Sequence, residues 1–488
     1  MSPSPVAAYQ AFRYELDPAN VTRGALASHA GGAKFAFRWG LRLVKDRLEQ
    51  AARIREQALT EGASAREAEA LARTVDIPWS LYSLRKEWNR AKSQVAPWWA
   101  ENSKEAYNSG LDALARALSA WSKSRRGERK GPKMGFPQSP KKRGGRCSFR
   151  VTTGSFGVTD DRHIRLPRIG VIRTKELTVK LARQLEAGTA RMLSAAVSQK
   201  AGRWYVSFGC ETGRTPTDPL PQLGQVVGVD IGVSCLAVLS TGERVPNPRH
   251  LSRYGRRLAR LQAQQSRRHG PARHRNRPSK RWCRTVARVA RAHGKVAQAR
   301  ADGLCKLTTA LAKSHGTVVV EDLNVAGMTA SAKGSGHWRG KAGLNRAILD
   351  VAPAELRRQL GYKCGWYGSV LVIAGRWYAS SKTCSGCGWR KPGLPLPERT
   401  FRCDNEECGL VIDRDLNAAL NLAALVSTVT GTASGAGTGQ GSLACAQGEE
   451  RFTGLPRCSS VNCEDGTGPR PGKTATVPPQ DETAAYAH

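Results

Sequence analysis

The hydrophobic pattern divides the first half of the chain into three blocks. Residues 6–16 alternate apolar and polar side chains, which predicts a strand. Over residues 22–121 apolar positions recur mostly at helical spacing, which predicts a helical block. A basic stretch rich in Gly and Pro then interrupts the pattern. Residues 146–212 follow as short apolar runs separated by turns, which predict an all-β segment.

The second half of the chain predicts strands alternating with helices. Apolar runs of strand length occur at residues 226–233, 235–239, 317–325 and 370–373, and residues 344–360 read as one helix. A last apolar run at residues 418–425 has helical spacing. Beyond it, the segment rich in Thr, Gly, Ser and Ala has no core pattern, so we expect disorder there.

Three carboxylates are placed at informative points of this pattern. Asp230 lies inside an apolar strand, Glu321 ends another, and Asp415 opens the last helix. A carboxylate in an apolar run is costly unless it is paired, hydrogen-bonded or bound to a metal. Any one of these acids alone is more often a solvated strand end. Together, in this order, they match an RNase H-like nuclease core, where three carboxylates hold two Mg²⁺ ions.

Two further acids adjoin this set. Adjacent residues of a strand point to opposite faces, so we expect Asp322 to face away from Glu321. Asp413 is not excluded by the spacing. Arg414 could contact a scissile phosphate or pair with Asp413.

Two cysteine pairs precede the last acid. Cys384 and Cys387 form a C-x2-C pair, and Cys403 and Cys408 form a C-x4-C pair. Four thiolates in two close pairs can complete a tetrahedral zinc site. A loop fixed by zinc would be rigid enough to aim the carboxylate of Asp415.

The charge of the chain favours nucleic acid as a partner. Its 488 residues carry 77 Lys and Arg against 39 Asp and Glu, a formal net charge of +38. Phosphate backbones commonly neutralise such an excess. Residues 251–301 hold sixteen Lys or Arg and no acid, which is typical either of a solvated helix pair or of a groove wall for a duplex. The candidate contacts are Arg38, Arg42, Arg256, Arg257, Arg260, Arg267, Arg268, Arg273, Arg275, Lys280, Arg281 and Arg284.

Four ordered motifs carry a family resemblance. They are GVDIG at 228–232, VEDLNVAGM at 320–328, RWYASSKTCSGCG at 376–388 and RDLNAALN at 414–421. In these the chain resembles TnpB, the transposon-associated RNA-guided DNA endonuclease, and the miniature type V CRISPR effectors descended from it. The likeness covers most of residues 1–425. The C-x4-C pair departs from the C-x2-C of many relatives, which widens a loop but keeps four ligands.

The resemblance implies an α+β multidomain protein. Its parts would be an N-terminal β-barrel (wedge) domain at residues 1–21 and 141–222, an inserted helical recognition domain at 22–140, an RNase H-like (RuvC-like) α/β nuclease core at 223–380 with the basic insertion at 251–301, an inserted zinc-binding knuckle at 381–410, a last RuvC-like motif at 411–425, and a disordered tail at 426–488.

The implied activity is RNA-guided, metal-dependent cleavage of DNA. The protein would bind a guide RNA, recognise a short motif beside a double-stranded target, open the duplex and cut both strands at a single two-metal site. The resemblance assigns catalysis and Mg²⁺ (or Mn²⁺) binding to Asp230, Glu321 and Asp415, and Zn²⁺ binding to Cys384, Cys387, Cys403 and Cys408.

Two other functions compete with this interpretation. An effector that binds without efficient cleavage would explain the charge and the cysteines, but such proteins can lose an acid, and all three are present. A transposase shares the RNase H-like core, but the cysteines just before the last acid argue against it. With no signal peptide pattern and no run able to span a bilayer, we expect a cytoplasmic, nucleoid-associated bacterial protein. The oligomeric state, monomer or dimer, stays open.

Overall fold

The computed structural model describes residues 6–129, 131–140, 147–214, 225–271, 277–331, 338–395, 397–431 and 444–445. The chain is a mixed α/β multidomain protein that divides into two compact units. One unit is Tyr9–Thr212, and the other combines Met1–Ala8 with Gly213–His488. Each unit is described separately below.

The first unit contains a helical block between its first and second strands, as predicted. The strand β1 (Val6–Leu16) is followed by α1 (Asn20–Thr60), α2 (Ala65–Ala72), α3 (Leu81–Val95), a short 3-10 helix (Pro97–Glu101) and α4 (Lys104–Arg125). The helices α1 and α4 cross closely, because a Cβ on Gly110 would lie 2.0 Å from the carbonyl oxygen of Ala33. Leu84, Tyr107 and Leu111 are buried in the core of this block.

The β part of the first unit forms two sheets. Its strands are β2 (Cys147–Val151), β3 (Gly157–Asp160), β4 (His163–Leu166), β5 (Gly170–Arg173), β6 (Ala190–Lys200) and β7 (Arg203–Arg214). One sheet has the order β1-β7-β6-β2 and the other β3-β4-β5, so the N-terminal strand does join this part. The all-β prediction is wrong at α5 (Val179–Glu186), where Leu181 and Leu185, four residues apart, pack into the same core.

The second unit is built on one mixed sheet. Its strands are β8 (Val226–Asp230), β9 (Cys235–Leu239), β10 (Arg244–Pro246), β11 (Thr317–Glu321), β12 (Val370–Ala374) and the two-residue β15 (Ala444–Cys445), in the order β10-β9-β8-β11-β12-β15. The strands β8, β11 and β12 are parallel neighbours. All four predicted strands of this half are confirmed. A small hairpin, β13 (Thr400–Arg402) with β14 (Val411–Asp413), stands apart from the sheet.

The helices of the second unit flank the sheet or extend from it. They are α6 (His250–Ser266), α7 (Lys280–Ser314), α8 (Val325–Met328), α9 (Trp338–Val351), α10 (Pro353–Tyr367) and α11 (Arg414–Gly431). One helix over residues 344–360 is a wrong prediction. Ala352, with φ 54, breaks it in two because the residue before a proline disfavours the helical conformation.

The last helix is also longer than expected. It continues to Gly431, so residues 426–431 are helical rather than disordered. The rest of the predicted disordered tail, residues 432–443 and 446–488, lies outside the described residues. Within the described part of the chain, no helix combines the length and apolarity that crossing a membrane requires.

A close backbone contact fixes α11 on the sheet. A Cβ on Gly228 of β8 would lie 2.0 Å from the carbonyl oxygen of Ala419 and 2.6 Å from the amide nitrogen of Ala423. Both atoms belong to the helix backbone, which cannot move aside as a flexible side chain would. Only glycine at position 228 lets strand and helix approach this closely.

Gly228→Ala should therefore destabilise the protein. Overpacking of this kind costs roughly 1–3 kcal/mol, and a backbone clash should reach the upper end of that range. Thermal and urea unfolding of the full chain measures the effect. The matched control is Gly361→Ala in α10, where an added Cβ meets nothing within 4 Å, so this variant should be neutral or slightly stabilised. Equal stability of the two variants would contradict the contact.

Candidate active site

Two carboxylates lie at the same edge of the central sheet. Val229 of β8 pairs in parallel with Val320 of β11, so the next residues, Asp230 and Glu321, end neighbouring strands. The carboxyl ends of parallel strands are where open α/β sheets hold ligands. Both side chains are half-buried.

The helix α11 brings a third carboxylate to this edge. Asp415 occupies its first turn, and the contact of Gly228 with Ala419 holds the helix on β8. Burial, followed by the charges of Glu321 and Asp415, raises the pKa of Asp230 to about 8. This electrostatic coupling shows that the three carboxylates are neighbours. Asp230 therefore holds a proton at neutral pH unless a cation takes its place.

The three carboxylates have the properties of a cation site. Among the described residues, none of the three forms an ion pair with Lys or Arg. No choice of one oxygen from each brings all three atoms within 4.8 Å of one another in the described structure. The donor set is all oxygen, which Mg²⁺ and Mn²⁺ prefer.

Asp322 has a different role from its neighbour Glu321. Its carboxylate accepts hydrogen bonds from Arg376, at 2.8 and 3.1 Å, and from Arg357. Burial alone would raise the pKa of Asp322, but the two guanidinium groups outweigh it and hold this pKa below its usual range. The side chain is thus committed to two arginines.

Asp413 caps the helix that carries Asp415. Its Oδ1 accepts hydrogen bonds from the backbone N–H groups of Asp415 (3.1 Å) and Leu416 (3.0 Å), and its other oxygen pairs with Arg244 at 2.9 Å. Burial alone would raise the pKa of Asp413, but these partners lower it below the usual value. Asp413 orients the first turn of α11 in the manner of an N-cap.

Arg414 does not pair with Asp413, which corrects one of the two expectations for it. Its guanidinium donates to the carbonyl oxygens of Pro395 (3.1 Å) and Glu398 (3.4 Å). Its charge still favours the ionised form of Asp230 and opposes the rise of the pKa there.

The four cysteines meet in one group. The Sγ atoms of Cys384, Cys387, Cys403 and Cys408 all lie within 4.8 Å of one another, with Cys384 3.7 Å from Cys408 and Cys387 3.5 Å from Cys403. A tetrahedron with Zn–S bonds of about 2.3 Å places its sulfurs about 3.8 Å apart, so the group fits zinc. The backbone N–H of Trp389 lowers the pKa of the Cys387 thiol to about 7, whereas burial and the neighbouring thiols raise the pKa of Cys403 to about 12 in the metal-free group.

A chain of hydrogen bonds begins at one carboxylate. The hydroxyl of Ser380 donates to Glu321, and the Ser380 carbonyl accepts from the side-chain amide of Asn421 at 2.7 Å. The same amide donates to the carbonyl of Thr383 at 2.6 Å. Asn421 is buried and belongs to α11, so the helix holds the loop that contacts Glu321.

The chain continues to the cysteine group. The fully buried Asn417, one turn earlier in α11, donates to the Thr383 carbonyl at 2.7 Å and accepts from the backbone N–H of Ser385 at 2.9 Å. Thr383 and Ser385 flank Cys384. Asn417 lies two residues after Asp415, so one stretch of helix joins the cysteine group to the carboxylates.

The basic segment forms a helical hairpin of α6 and α7. Leu258, Leu261 and Val289 pack between the helices, and most of the arginines are exposed on the outside. A cavity of about 330 Å³ is lined by Arg257, Arg260, Leu261, Gln264 and Arg288. Such a basic, partly polar cavity suits a phosphate group.

Two of the candidate contacts also have partners within the protein. Arg268 donates to the Arg281 carbonyl at 2.9 Å and to Thr285, so it holds the hairpin together. Arg38 donates to the carbonyl of Pro140 at 2.7 Å, in the first unit. The exposed candidates are Arg42, Arg256, Arg257, Arg260, Arg267, Lys280, Arg281 and Arg284, whereas Arg273 and Arg275 lie outside the described residues.

The chain matches two known domain families. The OrfB_IS605 family, described as "Probable transposase", matches residues 207–332, and "Cas12f1-like, TNB domain" matches residues 354–422. A relative from Mycobacterium tuberculosis (strain ATCC 25618 / H37Rv), named "Putative RNA-guided DNA endonuclease Rv2885c", is 37% identical over 435 residues, which cover 85% of this chain and 86% of the relative. The chain belongs to the TnpB family.

A second relative agrees with this TnpB assignment. "Putative RNA-guided DNA endonuclease InsQ" from Escherichia coli (strain K12) is 30% identical over 421 residues, which cover 85% of this chain and 92% of the relative. A solved structure titled "Cryo-EM structure of the Cas12f1-sgRNA-target DNA complex" aligns with a TM-score of 0.40 and 14% identity, covering 86% of this chain and 99% of that one.

Sequence reasoning missed the residues that position the site of this TnpB-family chain. Ser380, Asn417 and Asn421 stood within the quoted motifs, but no role was expected for them. A signal was present, since two amides four residues apart interrupt the apolar run of α11 and are costly to bury without partners. Arg244 and its pairing with Asp413 left no such signal.

The cysteine group should bind about one zinc ion per chain. Cys387→Ser removes one of four thiolates, so this variant should lose most of its zinc and unfold at a lower temperature. Elemental analysis and thermal unfolding measure the two effects. Cys283→Ser is the matched control, because Cys283 is exposed and outside the group, and it should keep its zinc. Folded wild-type protein without zinc would contradict this assignment.

Proposed function

We propose that this chain is an RNA-guided, metal-dependent DNA endonuclease that cuts both strands of its target at one RuvC-like site. The observation that carries the proposal is the convergence of Asp230, Glu321 and Asp415 at one sheet edge without a cationic partner among the described residues. The relatives named as RNA-guided DNA endonucleases support it.

The carboxylates would hold two Mg²⁺ or Mn²⁺ ions, which supply charge stabilisation for the attacking and leaving oxygens of the phosphodiester. Asp230 would have to be ionised to serve as a ligand, since its raised pKa belongs to the metal-free site. Ser380 fixes the orientation of Glu321, and Asp413 fixes the first turn of α11 that presents Asp415. Partners of this kind commonly orient metal-binding carboxylates.

The knuckle of residues 381–410 would hold zinc and keep the carboxylates in register. Its support is the hydrogen-bond chain from Ser385, beside Cys384, through Asn417 and Asn421 to Ser380 and Glu321. Zinc here would act structurally, because four thiolates leave no open coordination position.

Target selection would be delegated to a guide RNA. In guided effectors the protein holds the RNA–DNA heteroduplex by its shape and backbone and reads only a short motif beside the target. We assign the first role to the helical block at residues 22–140 and the basic hairpin at 251–301. The β-rich part at residues 1–21 and 141–222 would form a barrel-like wedge and take part in the second role, reading the motif beside the target.

The two competing functions have less support. An effector that only binds would not need three carboxylates kept in one place at the cost of mutual repulsion, which the raised pKa of Asp230 records. A transposase acting by itself would not need the cysteine group tied to the last carboxylate by Asn417.

Asp230→Ala, Glu321→Ala and Asp415→Ala should each reduce DNA cleavage by more than roughly 100-fold, because even residues that only orient metal ligands contribute about 10–100-fold. Each change removes a metal ligand rather than a nucleic-acid contact, so guided target binding should stay close to that of the wild type. Plasmid linearisation and gel-shift assays with the guide RNA bound measure the two properties.

The neighbouring acids provide the matched controls. Asp322→Asn keeps one acceptor oxygen for one of its two arginines, and Asp413→Asn keeps an acceptor for the helix cap, so both variants should lose less activity than the three alanine variants. If Asp413→Asn were as inactive as Asp415→Ala, the assignment of Asp415 as the sole ligand on α11 would be wrong.

The hairpin should bind phosphates irrespective of sequence. Replacing Arg257, Arg260, Arg284 and Arg288 with Gln should flatten the salt dependence of log affinity by up to about 3.6, at roughly 0.9 per contact. Target preference should not change, because phosphate contacts position the duplex and do not specify it. Binding isotherms at several salt concentrations measure the slope.

The same four positions changed to Lys keep the charge and serve as the control, which should retain most of the slope. Arg268 is left intact in both variants because it holds the hairpin together. An unchanged slope combined with a shifted preference for the target-adjacent motif would mean that the hairpin reads bases.

A further inference from the structure

Trp377 is the most exposed large hydrophobic side chain in the described part of the chain, with 89% of its surface accessible. An isolated exposed apolar residue is common and by itself needs no explanation. Two features distinguish Trp377: the turn that carries it is rigid, and this turn is close to the carboxylate of Glu321.

The residues on both sides of Trp377 are anchored. Arg376 donates to Asp322 at 2.8 Å, and the hydroxyl of Tyr378 donates to the carbonyl of Asn421 at 3.1 Å. The backbone N–H of Tyr378 closes the turn onto the carbonyl of Gly375 at 2.9 Å. The backbone is therefore fixed while the indole points to solvent.

The residues at both ends of this turn are direct neighbours of Glu321. Ala374, the last residue of β12, is the register partner of Glu321, and the hydroxyl of Ser380 donates to its carboxylate. Trp377 lies three residues from each of these positions. At about 3.3–3.6 Å per extended residue, its Cα is within roughly 11 Å of the Cα atom of each anchor, so the turn that carries the ring is close to Glu321.

We propose that the indole of Trp377 stacks on a nucleobase of the DNA strand whose phosphate lies at the carboxylates. The proposal rests on the proposed function, which requires an unpaired strand at this site. Unpaired bases expose their faces, and stacking on an aromatic ring tolerates any base. A guided nuclease needs that tolerance because its target sequence changes with the guide.

A protein partner fits this ring less well. Specific protein interfaces bury about 1,000 Å² or more, and a single exposed indole does not make an apolar patch of that size.

The first test is cleavage by the full chain with its guide RNA. Trp377→Ala and Trp377→Leu should both slow cleavage about 5–150-fold, the equivalent of the roughly 1–3 kcal/mol that one stacked base contributes, while guided target binding changes little. Trp377→Phe should keep most of the rate. Leu matches the apolarity but not the aromatic face, so wild-type rates in Trp377→Leu would overturn the proposal.

An abasic nucleotide moved through the cut region identifies the stacked base. At one position it should slow the wild type about as much as Trp377→Ala does, and it should add nothing to that variant. Effects that multiply at every position would overturn the proposal. All three variants should unfold at the wild-type temperature, because the ring has few contacts to lose.

A readout without cleavage separates this proposal from the proposed function. Single-stranded DNA containing 2-aminopurine should lose fluorescence on binding wild-type protein, and Trp377→Ala should remove a large part of that quenching. If the wild type binds and quenches but does not cut, the proposed function fails and stacking stands. Equal quenching by the wild type and by Trp377→Ala rejects stacking. Stacking is also rejected if Trp377→Ala changes only the oligomeric state, as measured by size-exclusion chromatography.

Discussion

The placement of three carboxylates at one edge of the sheet is the constraint on which the second unit depends. Burial, followed by the charges of Glu321 and Asp415, raises the pKa of Asp230 to about 8. A flexible arrangement would let the charges separate. The protein prevents this with parallel register between β8 and β11, with the glycine contact under α11, and with hydrogen bonds that end on Glu321.

The cysteine group and the carboxylates are held together by one set of hydrogen bonds. Asn417 and Asn421 are spaced one helical turn apart, so both face the loop that runs from Ser380 to Ser385. Removing either amide leaves a buried carbonyl or N–H without its partner, at a cost of about 1–3 kcal/mol. The helix start, the loop and the strand end are thereby fixed to one another before any ion or nucleic acid arrives.

Local patterns predicted the elements of the second unit because its central strands are buried on both faces and read as unbroken apolar runs, such as Val226–Asp230. Residue roles that depend on distant partners were not predictable. The link of Ser380 to Glu321 spans 59 positions, and the partner of Asp413 lies on β10. The helix α5 was missed because eight residues give too short a pattern beside strands of similar length.

The length of α7 gives the basic hairpin a mechanical property. Its 35 residues make one continuous rod of about 50 Å, whose first half packs on α6 and whose second half, through Leu304 and Leu311, belongs to the core of the sheet. The helix therefore fixes the distance between the outer part of the hairpin and the core of the sheet, because that distance is set by a count of helical residues and not by a flexible loop.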